Sequence, residues 1–515
     1  MPKRTPRVAV IGAGIAGLTA AWDLAAAGLD VPLFEAGPVP GGKIRQEIVA
    51  GRPIDSGPTV VTMRWIFDAL FEDHGRNLAD HLDLHPLDVL ARHAWPGGTD
   101  TLDLCADEDR TVEAIRTFAG PAEADGYRRF AARARETFDV LEPTFIHDPA
   151  PTVAGLTLAV ARKNTRALWG IRPFARLERE LGRFFKDRRL RQLFARYATY
   201  SGSSPYLCPA TLMLIAHVEL RGVWRITGGI VRLAEAIAAA ACADGADIRL
   251  GSPVARIETG TNGAVTAVVD GGGVRHPCDA VLFAGDVQAL RDGLLGEAAR
   301  PVTRETTAPR SLSALTTSMV ATVTGFPLDH HNVFFCDDYA AEFDDIFGRG
   351  RLPRAPTVYV CAQDRGDAAD LGTGAERLFT IINAPPTGDT APLPQEEIDR
   401  CLDAMLTLLA RCGLRMETEP HARLVTAPQH FAKRFPATSG ALYGMALHTP
   451  TAAFARPTAH TRIPGLYLAG GSTHPGPGLP MAATSGRMAA RRIRSDLAST
   501  RASHRAATSG GISTR

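Results

Sequence analysis

Gly12, Gly14 and Gly17 interrupt an apolar run near one end of the chain, and an acid, Glu35, follows after one helix and one strand. RVAVI, ending at Ile11, has the pattern of a short buried strand. LTAAWDLAAAGL has that of a helix closing near Gly28, and DVPLFE that of a second strand whose last residue is Glu35. In this strand–turn–helix–strand order Gly12 permits the turn, Gly14 lets a diphosphate approach the backbone, and Gly17 lets the helix lie close to the sheet. Ala16 sits between them in the first helical turn, where unpaired N–H groups face the phosphates. Glu35 accepts from adenosine ribose hydroxyls and repels a 2'-phosphate, which disfavours NADP. The unit is a dinucleotide site, and by itself it does not separate FAD from NAD.

The following residues bear on that choice. An NAD fold continues from its second strand into a helical crossover. Here the chain runs through Gly41, Gly42, Lys43 and Arg45 and then through a second turn, DSGPT, that ends at Thr59. Such a loop suits a long extended cofactor, with Lys43 or Arg45 beside its diphosphate or flavin; an ordinary hairpin carrying surface cations is the other reading. Far along the chain IPGLYLAG predicts a buried strand that opens into GGSTHPGPGLPMAATSG. Gly470, Gly471 and Gly478 shape that turn, Leu479 closes it, and a helix begins at Met481. A second helix N-terminus is superfluous for NAD. It suits FAD, whose flavin half extends away from the first turn and gains negative charge on reduction. Val254, in a strand after the alanine-rich stretch 231–243, is placed for backbone contact with the adenine edge.

Two side chains are candidates for the proton acceptor of such a redox site: Glu219, beside the apolar run CPATLMLIAHV, and His474, within the last glycine loop. His217 has the spacing of a core histidine. No metal site is expected, since His81 and His85 alone have an i, i+4 relation and the eight cysteines are scattered without a C-x-x-C. The cysteines are expected as free thiols. A formal charge of +2 over 515 residues gives no reason to expect nucleic acid. Residues 161–200 nevertheless hold twelve Lys and Arg against three acids, interleaved with Trp169, Phe174, Phe184, Phe185, Phe194 and Tyr197. That pattern fits a solvated helix face or contact with an anionic lipid surface. No apolar run is long enough to span a bilayer.

To bring residues 12 and 478 to one cofactor, the nucleotide-binding part must be assembled from separate pieces. The expected division is 1–95, 223–300 and 456–494 for cofactor binding, with 96–222 as a helical, substrate and membrane-contact region. Residues 301–455 are expected as a substrate domain and 495–515 as a disordered tail. Residues 64–95 read as helices joined by short loops, and 252–286 as a meander closing beside the first sheet.

VIGAGIAGL, the GGKI loop, DSGPTVVT, the stretch from Glu219 to Gly229 and YLAGGSTHPGPGLPMAATSG together resemble the phytoene-desaturase-type carotenoid oxidoreductases of bacteria. The resemblance runs from residue 7 to 494. GGSTHPGPGLPMA is most similar to the branch that introduces the 3,4 double bond into acyclic 1-hydroxy or 1-methoxy carotenoids such as 1-hydroxyneurosporene. Phytoene desaturases usually carry HPGAGIPG, from which Pro477, Met481 and Ala482 depart. The resemblance implies an α/β, Rossmann-like FAD fold of the glutathione-reductase/amine-oxidase type, α+β in its substrate part. It also implies non-covalent FAD, hydride transfer from the polyene to the flavin, and quinone or oxygen as the final electron acceptor. A peripheral position on the cytoplasmic side of the bacterial inner membrane follows from it too. Phytoene desaturation is the alternative reading. A soluble amine oxidase shares the first turn, but HPGPGLP argues against it.

Overall fold

Val8–Ile11 is apolar and buried along its whole length, as expected of a strand covered on both faces. It lies at the centre of a five-stranded parallel sheet, in the order Leu466–Leu468, Ala280–Phe283, Val8–Ile11, Val31–Phe34, Ala246–Arg249. Segments more than 400 residues apart therefore share one sheet. The computed structural model describes residues 4–98, 101–163, 174–304, 307–365 and 374–509.

Helices Ile15–Ala26, Val231–Ala243 and Leu479–Ser509 pack together in the same apolar core. A Cβ on Gly486 would lie 2.2 Å from the Ala16 carbonyl oxygen, so the first and last helices touch backbone to backbone there. Glycine is what allows that approach.

A larger sheet stands beside this unit. Its order is Arg415–Glu417, Ser313–Thr324, Glu376–Ala384, Val358–Ala362, His331–Phe334, Val89–Ala94, Leu102–Cys105, and Arg423–Thr426 also pairs with the long strand Ser313–Thr324. Helix Gln395–Arg411 buries Ile398, Leu402, Met405 and Leu409 in the core on one side of it. A helical layer forms a second core around Phe130, Phe185 and Phe194.

Three expectations are corrected and one is met. Residues 84–94 form strands Leu84–Pro86 and Val89–Ala94, and the second joins the larger sheet; LARHA alternates too weakly to announce it. The meander Val254–Thr259, Val265–Asp270 and Arg275–Pro277 forms its own three-stranded sheet and does lie beside the parallel one, sharing a core with Ala9, Ile11, Phe34 and Val281. The expected tail from Ser495 is helical to Ser509, since alanine and arginine favour helix and an Arg492–Asp496 i, i+4 pair supports it. Within 161–200, Phe185, Phe194 and Tyr197 are core residues rather than an interleaved surface, and Phe174 is the ring left exposed, at 78%. Trp169 lies outside the described residues. No described helix is long and apolar enough to cross a membrane.

Candidate active site

The two glycine turns meet. A Cβ on Gly12, Gly17 or Gly470 would come within 3.7, 3.2 and 3.3 Å of atoms of Ala284, at the end of the strand between them. Gly12 holds φ near +101° and Gly470 near +119°, which side-chain-bearing residues rarely adopt. Gly17 has no room at all, its Cβ falling 1.9 Å from the Gly12 carbonyl oxygen. Gly14 is the opposite case: it is the N-cap of helix Ile15–Ala26, makes no side-chain cap, and has nothing within 4 Å of where a Cβ would stand. That open face before a helix N-terminus is a cradle for a diphosphate.

The acid and the loops surround this cradle. Glu35 accepts from the backbone N–H groups of Ala13, at 2.6 Å, and Gly37, at 2.7 Å, so its carboxylate lies beside the turn. Its carbonyl accepts from Ser252 N–H, which draws Val254 to the same side. Gly41 bridges to Gly14, and a Cβ on Gly42 would reach 3.1 Å from Gly14 Cα. The two loop cations diverge. Lys43 donates to the Leu442 carbonyl, whereas Arg45 pairs with Glu47 and lies over the Phe431 ring, 5.1 Å from its centroid. Beyond them Gln46–Val49 and Arg52–Asp55 form a hairpin, although Arg45 before it is buried rather than a surface cation. Asp55 binds Ile230 N–H and the Gln46 amide, a loop-holding role, and burial raises its pKa.

The last glycine loop is fixed by a residue the sequence did not single out. Arg456, 3% exposed, donates to the carbonyls of Gly471 (3.0 Å), Tyr443 (3.1 Å) and Met445 (2.9 Å). Gly470 N–H binds Ser485 Oγ, and Gly478 caps the final helix through its carbonyl to Ala482 N–H. Leu479 is buried, and Met481 packs against the first core. Burial pushes the Arg456 guanidinium down to about 10 against the pull of Asp286. Lys43 is lowered by burial as well; Asp286 counters this, and Arg456 and Arg310 add to it. Three cations thus face one carboxylate beside the loop.

Lys43, Arg196, Tyr200, Tyr359 and Tyr443 lie deep inside the protein, yet all keep accessible surface. Tyr443 neighbours the Arg456-held loop, and its ring stands 2.6 Å from where a Cβ on Gly202 would be. Thr59 accepts from Tyr359 OH at 2.8 Å. A surface cleft of about 800 Å³ lies elsewhere, against Leu466, Tyr467 and Arg492, and holds none of the candidate residues.

The two proton-acceptor candidates are not brought together. Glu219, 4% exposed on helix Leu214–Leu220, accepts from Tyr197 OH at 2.7 Å and from Tyr200 OH. His474, 3% exposed, packs edge-on against Phe145 at 5.0 Å, and its Nε2 has no hydrogen-bond partner. Burial pushes its pKa down to about 4, so the ring is neutral near pH 7.

Among the described residues one group has metal-like proximity. The ligand atoms of His330, His331 and Cys361 fall within 4.8 Å of one another. His330 Nδ1 meets the Arg365 carbonyl, His331 Nδ1 meets Tyr359 OH, and burial raises the Cys361 thiol to about 12. All eight cysteines are free.

Residues 15–494 match the family described as flavin containing amine oxidoreductase. The chain is 50% identical to hydroxyneurosporene desaturase of Rubrivivax gelatinosus, covering 100% of this chain and 98% of that one. It is 43% identical to the protein of the same name from Cereibacter sphaeroides, over 97% and 99%. Among solved structures, putrescine oxidase bound to putrescine superposes with a TM-score of 0.61 at 15% identity, covering 96% of this chain and 100% of that one. That likeness concerns the fold.

Proposed function

Because the chain belongs to the flavin containing amine oxidoreductase family, we propose that it is an FAD-dependent desaturase placing a C3–C4 double bond in acyclic 1-hydroxy or 1-methoxy carotenoids such as 1-hydroxyneurosporene. The observation that carries this reading is the end-to-end match, through both glycine turns and the residues between, with chains named hydroxyneurosporene desaturase. The open face at Gly14, the carboxylate of Glu35 and the cations at Lys43, Arg310 and Arg456 fit the diphosphate, the ribose and an electron-rich ring system. Bound there, FAD supplies the two-electron acceptor for oxidation of a CH–CH pair.

The chain's own part is to bind, orient and accept a proton. A polyene is bound by burial of its hydrocarbon area. Of the two proton-acceptor candidates, His474 offers a neutral imidazole with a free Nε2, whereas both oxygens of Glu219 are taken by phenols. His474 is therefore assigned as the proton acceptor.

The reading extends to place and partners. Exposed Val153 and Leu158 on helix Val153–Lys163, exposed Phe174 and the exposed cations Arg176, Arg179, Arg183, Lys186 and Arg188 support docking on an anionic lipid surface from which the substrate is drawn. The protein then sits peripherally on the cytoplasmic face of the inner membrane and passes electrons to quinone or oxygen. The test is to supply carotenoids in lipid vesicles to purified, FAD-loaded protein. A red shift of the polyene band with 1-hydroxyneurosporene and none with phytoene is expected; the reverse makes it a phytoene desaturase.

A further inference from the structure

Strand pairing assembles a set of donors that the flavin site does not use. His331 stands directly opposite Cys361 across the antiparallel strands His331–Phe334 and Val358–Ala362, so their side chains share one face of the sheet. His330, the residue before the first of these strands, packs its ring edge to face on His331, 4.6 Å between centroids. All three side chains are buried, and one donor atom from each falls within 4.8 Å of the others. Pairing of distant strands brings them together, which is why spacing along the chain predicts no metal site.

Each imidazole is held in the form a cation needs. The Arg365 carbonyl can only accept, so His330 Nδ1 carries the proton of their 2.9 Å bond, and the Nε2 lone pair faces Cys361 Sγ at 3.7 Å. Tyr359 OH donates to Thr59 Oγ1 at 2.8 Å, so its oxygen accepts from His331 Nδ1 at 2.7 Å. His331 Nε2 is then a second lone pair, buried without a hydrogen-bond partner. Metal-binding histidines are oriented in this manner, by giving their other N–H to a neighbouring acceptor. The spacing fits too: bonds of about 2.0 Å to nitrogen and about 2.3 Å to sulfur at a tetrahedral angle set N and S about 3.6 Å apart. Burial keeps His331 neutral. It also disfavours a lone Cys361 thiolate, a cost that a cation beside the sulfur removes.

We infer that His330, His331 and Cys361 form a closed binding site for a thiolate-preferring cation, Zn2+ or Cu+. Two imidazoles and one thiolate suit both ions. On binding, a metal–sulfur bond replaces the S–H bond, and the proton leaves to solvent. The ion ties two strands of the larger sheet together and, through His331 and Tyr359, steadies the turn that ends at Thr59.

The test measures metal in FAD-loaded protein produced with Zn2+ in one arm and with copper under reducing conditions in the other, then desalted. The ion is supplied while the chain folds because the site is closed. Wild type is expected to hold about one equivalent of one of the two ions, and Cys361→Ser and His331→Ala less than about a tenth of that. His421→Ala, at an exposed histidine, should hold as much as wild type. X-ray absorption by the loaded wild type, which needs no variant to fold, should show one sulfur and two imidazole nitrogens around the metal. A wild type that holds neither ion, a Cys361→Ser that keeps the wild-type amount, or a metal shell without sulfur overturns the inference. None of these outcomes bears on desaturation, and a protein inactive on carotenoids that still binds the ion through sulfur upholds it.

Discussion

Replacing Arg456 by methionine separates the last glycine loop from its anchor with little change in volume. The guanidinium makes three bonds, of 2.9 to 3.1 Å, to carbonyls of residues 443, 445 and 471, in a site where Arg456 is 3% exposed. Bonds from a charged donor contribute about 1.5–3 kcal/mol each, so removing all three costs on the order of 6 kcal/mol. Relief of a buried charge offsets part of this: a guanidinium pushed down from 12.5 to about 10 is disfavoured by roughly 3 kcal/mol. A net loss of about 3 kcal/mol remains, concentrated in the loop around Gly471. Calorimetry of the apoprotein should show melting lowered by on the order of 3 °C. Gel filtration followed by absorbance should show flavin lost from Arg456→Met and partly kept by Arg456→Lys. If Arg456→Met melts with wild type and keeps its flavin, the loop is not held in this way.

Gly14→Val should leave apoprotein melting nearly unchanged, because no atom lies within 4 Å of the new Cβ, yet abolish flavin uptake; Gly17→Ala should impair both, its Cβ standing 1.9 Å from a backbone oxygen. His474→Gln should keep flavin and slow turnover by 100-fold or more, whereas unchanged kcat would remove His474 as proton acceptor. Acid should destabilise the fold. His474 and His448 are held near 4 and His93 near 3, below their ordinary value of 6.5, so the unfolded chain binds more protons as pH falls from about 6.5 toward 4. At pH 5.5 each costs roughly 1.4 kcal/mol, and denaturant midpoints should be clearly lower there than at pH 7.5; equal midpoints would contradict the burial of these rings.

The cofactor end was legible because its constraints are local. Gly12, Gly14, Gly17 and Glu35 stand within one strand–helix–strand unit, where spacing alone determines geometry. The pairing of residues 12 and 470 across one strand was also foreseeable, since two strand–turn–helix units need one ligand. The substrate end was not legible. Tyr359 and Ala284 acquire meaning through contacts more than 180 residues away in the chain, and Arg456 and Tyr200 through nearer loop contacts that no period or motif marks. Arg456 sits in AFARPTAH as an ordinary loop cation. Phe185 and Phe194, spaced among arginines, have the composition of a surface helix, and only the helical layer packed above them makes them core. Val89–Ala94 went unread although one of its partners, Leu102–Cys105, is local; the other lies at 331–334.

The central claim is that both ends of the chain build one flavin site that oxidises a polyene. Anaerobic mixing of FAD-loaded protein with 1-hydroxyneurosporene in vesicles tests it most directly. The flavin absorbance should bleach in step with a red shift of the polyene, one flavin per new double bond. A red shift without bleaching, or a protein that takes up no FAD, would contradict it.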